Sequence, residues 1–195
     1  MAKKDFIPDA WSIQQALMRD RFQRHFCMPN FTPPDWFECD VFELTAAGFF
    51  REYEIKRTRA DFQKDAKKAE ATFGRFVDGV WTVPAGRTKH SMLQMADVRG
   101  PSQFWFVTPP DLLSDAEIPE WAGHIIVHPA TNFRGSYVSV VQVKEAPHLH
   151  REKFADSRGM SNYVRGTAYY RLHNEYRTAS TPPDYRLTHE DGSGI

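Results

Sequence analysis

Cysteine is nearly missing from this chain: Cys27 and Cys39 are the only two among 195 residues. Two cysteines without a CxxC spacing build neither a disulfide framework nor a thiolate metal site, so both are expected as small buried side chains. No apolar run approaches the about 18 residues that a membrane helix needs, and no membrane association is expected. The start, MAKKDF, is polar and carries no secretory leader, so the expected compartment is a reducing cytoplasm, bacterial or phage-infected. Charge of one sign is also lacking, since 25 basic residues face 25 acidic ones. No global field draws this protein onto nucleic acid, and any such binding must come from local clusters. The glycines are too scattered for a phosphate-cradling loop, and there is no internal repeat.

What the chain does have is aromatic content, at 14%, and length enough for one domain with a real core. Residues Ala10 to Phe26 read as a helix with Asp9 as N-cap and Ile13, Ala16 and Leu17 opening an apolar face. The proline-rich run MPNFTPPDW then breaks the pattern. FECDVFEL (Phe37 to Leu44) and Phe49 to Lys56 read as two strands joined by the three-residue loop Ala46-Ala47-Gly48. That loop pairs Thr45 with Phe49 and, counting outward, Asp40 with Glu54 and Glu38 with Lys56. A helix follows from Thr58 to about Thr72, with Phe62, Ala66, Ala69 and Phe73 as its buried stripe and Lys64, Lys67 and Lys68 facing outward. Further on, Ser91 to Asp97 suits a short helix. QFWFVT (Gln103 to Thr108), GHIIVH (Gly123 to His128) and SYVSVVQV (Ser136 to Val143) read as strands, the first as a central strand buried on both faces. His148 to Asp156 is read as the opening of a last helix. The order of elements predicts a mixed α/β domain over residues 1–156, with 157–195 as a C-terminal helix and a partly disordered tail. Tyr163, Arg165, Tyr169, Tyr170, Arg171, Tyr176 and Arg177 give that tail a mixture that suits base stacking or packing on the domain.

The hairpin carries the chemistry. Opposed carboxylates at Asp40 and Glu54 repel, and a partly buried pair pushes one of them toward protonation. A divalent cation removes that conflict, and carboxylate oxygens with water and phosphate suit Mg²⁺ or Mn²⁺. Lys56 shares the face of Glu54 by strand alternation, where its ammonium can orient a water and offset developing charge. Those are parts for phosphodiester hydrolysis. Alternating acids and bases equally describe a solvated strand face with cross-strand ion pairs, and the hairpin alone leaves both open.

An acid on one strand, Glu-x-Lys on the next and then a helix resembles the PD-(D/E)XK nuclease superfamily. The segment ECDVFELTAAGFFREYEIKRTRADFQKDAKK is similar to the central part of MmcB-type DNA repair proteins and their phage-borne relatives. FWFVTPPDLL, EIPEWAGHIIV and VKEAPHLHREKFA extend the resemblance over about Ala10 to Asp156. It implies a restriction-endonuclease-like α-β-β-β-α-β core with a mixed central sheet. It implies that Asp40 and Glu54 are metal ligands, the Ile55 carbonyl a further ligand and Lys56 the catalytic lysine. Arg57, Arg59, Lys64, Lys67 and Lys68 are then expected to contact the DNA backbone, with Lys89 and His90 helping. The expected function is metal-dependent DNA hydrolysis in repair, recombination or phage DNA processing; the alternative is a non-catalytic DNA-binding or assembly module on the same fold. A homodimer is left open. Where many members of the superfamily carry a first-helix glutamate, this chain has Gln14, Gln15 and Asp20.

Overall fold

The computed structural model describes residues 8–22, 26–65, 75–78, 80–82, 88–132 and 135–154. They form an α/β protein built on one six-stranded mixed sheet, with few helices. In chain order the elements are α1 (Ala10–Phe22), β1 (Phe26–Phe31), β2 (Cys39–Leu44), β3 (Phe50–Ile55), α2 (Arg59–Asp65), β4 (Arg75–Val77), β5 (Val80–Thr82), α3 (Lys89–Gln94), β6 (Gln103–Thr108), β7 (Gly123–Asn132) and β8 (Gly135–Lys144). The large sheet runs β1-β2-β3-β6-β7-β8, and β4 and β5 pair separately. β1, β2 and β3 form an antiparallel meander, β3, β6 and β7 are parallel, and β8 returns antiparallel along β7. No helix among the described residues is long and apolar enough to cross a membrane.

The register of the central hairpin follows from its loop. Val41 faces Tyr53 and Leu44 faces Phe50, and the Thr45 amide donates to the Phe49 carbonyl at 2.9 Å. Gly48 closes the turn at φ 87°, a left-handed conformation that a side chain disfavours. Alternation then sorts each strand onto two cores. Val41, Tyr53, Ile55, Trp105 and Val107 pack under Ile13, Ala16 and Leu17 of α1. Phe42, Leu44, Phe50, Phe104 and Phe106 pack on the other face, beneath Met92 and Leu93 of α3. Each of the Val, Ile, Leu, Phe and Met side chains among these contributes roughly 1.5–3 kcal/mol by leaving water. β6 is buried at all six positions, as its unbroken apolar run requires of a strand covered on both faces.

Several boundaries differ from the sequence reading. The first helix ends at Phe22, and Phe26 opens a strand instead. The proline-rich stretch supplies that strand, β1. It forms the sheet's edge, where Pro29 costs no ladder bond that an interior strand would need. The short helix α3 starts at Lys89, because Thr88 caps it by accepting the Ser91 amide at 3.1 Å. Residues 148–154 are irregular rather than helical. Their amides are spent on other segments: Leu149 donates to the Ser102 carbonyl at 2.8 Å and Phe154 to that of Gly48 at 2.9 Å. The expected continuation of α2 toward Thr72 and the tail 157–195 lie outside the described residues.

Candidate active site

β3 projects Glu52 and Glu54 from one face, Lys56 just beyond its end continues the alternation, and that face is covered. Glu52 is 0% exposed, and Glu54 and Lys56 are each 2% exposed. The solvated-face reading of this hairpin is therefore overturned by burial. Lys56 turns away from Glu38, its cross-strand neighbour on the expected register, and donates instead to Glu54 Oε1 at 2.8 Å and to Asp65 Oδ1 at 2.7 Å.

These bonds belong to a longer chain of charges. Trp36 Nε1 donates to Glu52 Oε2 at 2.8 Å. Lys89, from the first turn of α3, inserts its ammonium between the two glutamates, 2.5 Å from Glu52 Oε1 and 2.5 Å from Glu54 Oε2. The contact with Glu54 has hydrogen-bond geometry, whereas Glu52 Oε1 accepts no directed hydrogen bond and meets Lys89 as a charge. At the far end, Asp65 Oδ2 meets His90 Nε2 at 2.8 Å. α2 and α3 thus lay one charged side chain after another over β3.

Asp40 stands beside this chain at the start of β2. Its Oδ2 accepts the Ile55 amide at 2.7 Å, and Gln14 of α1 donates to its backbone carbonyl at 3.0 Å. Burial and then the charge of Glu54 push the Asp40 carboxyl up to about 6. Burial, reinforced by Glu54 and opposed by Lys89, pushes Glu52 up to about 7. Burial works against the ammonium of Lys56, yet Glu54 and Asp65 hold it above its ordinary range, and Glu52 and Glu54 do the same for Lys89. Asp65 moves the other way: burial is outweighed by the hydrogen bond from His90 and the charge of Lys56, and its carboxyl falls far below the usual range. Four carboxylates (Asp40, Glu52, Glu54 and Asp65) share this region with two ammonium groups. Asp40 and Glu52 are raised first by burial, and the charge of Glu54 adds to it.

Asp40 and Glu54 are oxygen donors of the kind a hard divalent cation takes. Among the described residues no three His, Cys, Asp or Glu side chains converge on one ion position. The two carboxylates would need completion by the Ile55 carbonyl, water or phosphate. Both Glu54 oxygens are held by ammonium groups, so a cation there would share or replace those contacts.

The expected backbone contacts divide. Arg57 and Lys64 are exposed. Arg59 is exposed too, but it is engaged by Glu117 and donates to the Leu112 carbonyl at 2.8 Å. Lys89, read as a backbone contact, is buried within the site instead, because Glu52 and Glu54 provide the partners that an ammonium needs when it leaves water. His90 is half-buried against Asp65. Lys67 and Lys68 lie outside the described residues. Sequence reading missed Asp65 and the role of Trp36. A signal for Asp65 existed: it stands three residues after Phe62, on the helix face that packs inward.

Away from this cluster, the cysteines and the aromatic strand are core, and two histidines make local contacts. Cys27 and Cys39 are buried and form no disulfide. His150 Nε2 lies 3.1 Å from the Gly100 carbonyl, and the His148 ring packs edge-on to Phe49. Phe104, Trp105 and Phe106 are core residues.

Fold and site together define a mixed-sheet α/β protein with a buried acid–lysine cluster at its centre. No family model and no curated protein matches the chain. A solved structure of a protein of unknown function from Silicibacter pomeroyi is similar to it, with TM-score 0.56 and 16% identity over 92% of this chain and 98% of that one. That likeness establishes a shared fold.

Proposed function

We propose that this protein is a metal-dependent nuclease that hydrolyses DNA phosphodiester bonds, built on a restriction-endonuclease-like core. One observation carries the reading: Glu54 and Lys56 are paired on a buried sheet face, and half-buried Asp40 lies near enough to feel the charge of both, in a region with more carboxylates than ammonium groups. The order α1-β1-β2-β3-α2 followed by β6 beside β3 supports it, since an α-β-β-β-α-β core is what the resemblance implies. Asp40 and Glu54 would hold Mg²⁺ or Mn²⁺, which supplies Lewis-acid activation of the phosphate when bound. Lys56, kept charged by Glu54 and Asp65, orients the attacking water and offsets charge growing on the phosphate. The exposed Arg57 and Lys64 supply sequence-independent backbone contacts beside the site.

The test is cleavage of supercoiled plasmid, linear duplex and branched DNA with Mn²⁺ by the wild type, Glu54→Gln and Lys56→Ala. Both variants are expected to lose on the order of 100-fold or more in rate. Equal activity in all three proteins refutes the assignment.

A second reading is favoured by the saturation of Glu54, whose two oxygens already have ammonium partners, and by Gln14 standing where a first-helix acid is expected. In that reading the cluster is a structural ion-pair network in a DNA-binding or assembly module. Salt-sensitive DNA binding indifferent to EDTA, with no heat of Mn²⁺ binding by calorimetry, selects it.

A further inference from the structure

The Asp65 carboxylate does more than hold Lys56. Its Oδ1 accepts from Lys56 at 2.7 Å while its Oδ2 lies 2.8 Å from His90 Nε2. One buried carboxylate thus couples the lysine of the site to an imidazole at its rim, where the His90 side chain keeps 17% of its surface. The ring is also fixed from its edges, with Phe106 at 5.9 Å and Trp121 at 5.1 Å between centroids. With Nε2 turned onto Asp65, Nδ1 is the ring atom left for an outside partner, and no hydrogen bond among the described residues engages it. A carboxylate that fixes one imidazole nitrogen sets which nitrogen exchanges protons.

We infer that His90, positioned by Asp65, donates the proton to the leaving oxygen during phosphodiester cleavage. The inference rests on the nuclease reading above. The two neighbouring cations are poor candidates for this step: Lys56 and Lys89 each lie between two carboxylates that keep their protons in place. Histidine is the side chain most used for proton transfer near neutral pH. As water oxygen bonds to phosphorus and the bond from phosphorus to the leaving oxygen breaks, the Nδ1 proton of imidazolium passes to that oxygen. The attacking water loses its proton to solvent. Neutral His90 keeps its Nε2 proton on Asp65 and regains the other from solvent. A structural Asp–His pair has no reason to depend on the leaving group, and this dependence is the discriminating property.

The experiment compares wild type, His90→Gln, His90→Asn and Glu54→Gln on plasmid DNA and on bis(p-nitrophenyl) phosphate, both with Mn²⁺. The alkoxide leaving from DNA needs a proton, whereas nitrophenolate leaves without one. Both His90 variants are expected to fall on the order of 100-fold on DNA and no more than about threefold on the activated ester. Their activity on the ester reports that the site is folded. Equal losses on the two substrates, or full activity on DNA, overturn the role of His90 while leaving the nuclease reading standing. Wild type that cleaves neither substrate, or Glu54→Gln that cleaves both as wild type does, overturns the nuclease reading and this inference with it.

Discussion

Replacing Asp40 by asparagine removes a carboxylate that the fold holds at a cost. Burial, with Glu54 beside it, raises the carboxyl from 3.8 to about 6. Between those values the folded protein keeps a proton that the unfolded chain has already released. Stability therefore falls as pH rises through that window, and the whole cost is present above pH 6. A shift of two units corresponds to about 3 kcal/mol, and solvent screening at this half-buried side chain lowers the net figure to about 2 kcal/mol. Asparagine carries no charge and retains an oxygen to accept the Ile55 amide, now bonded at 2.7 Å. The variant is thus expected to be about 2 kcal/mol more stable than wild type at pH 7.5 and to gain only about a third of that at pH 4.5. It is also expected to lose DNA cleavage, the trade expected of a strained functional residue. Urea denaturation followed by tryptophan fluorescence at the two pH values measures the difference. A variant no more stable than wild type at pH 7.5, or one with the same gain at both pH values, refutes the electrostatic account of Asp40.

Two further outcomes follow from packing and pairing. Lys89→Met leaves Glu52 and Glu54 facing one another without their shared ammonium, and is expected to cost about 3–5 kcal/mol in urea denaturation; adding Glu52→Gln should restore part of the loss, and an unchanged unfolding midpoint in the single variant would contradict the pairing. Gly123→Ala places a methyl 2.4 Å from the Trp105 ring and 2.7 Å from the Ala146 amide nitrogen. Crowding of that kind costs about 1–3 kcal/mol, seen as a lowered Tm; an unchanged Tm would show that this contact yields freely.

Much of the site's local geometry was legible. Alternation alone puts Glu52, Glu54 and Lys56 on one side of a strand, and a three-residue loop sets the register that brings Asp40 beside Glu54. The run QFWFVT announced a central strand, and Asp9 announced a helix start, realised as the Ser12 amide donating to its Oδ1 at 2.7 Å. β1 was hidden because prolines signal a break, and only its place at the sheet edge makes Pro29 tolerable. The irregular segment 148–154 was hidden because amides of Leu149 and Phe154 find their acceptors on remote segments.

By itself, then, the sequence determined which side chains share a face and which carboxylates stand opposed, because turn length and pleat act over a few neighbouring residues. Only the tertiary structure decided that this face is dry, that Lys89 sits between Glu52 and Glu54, and that Asp65 ties Lys56 to His90. Desolvation and ion pairing depend on which distant segment packs over the strand, and no local pattern in β3 specifies the helices that cover it.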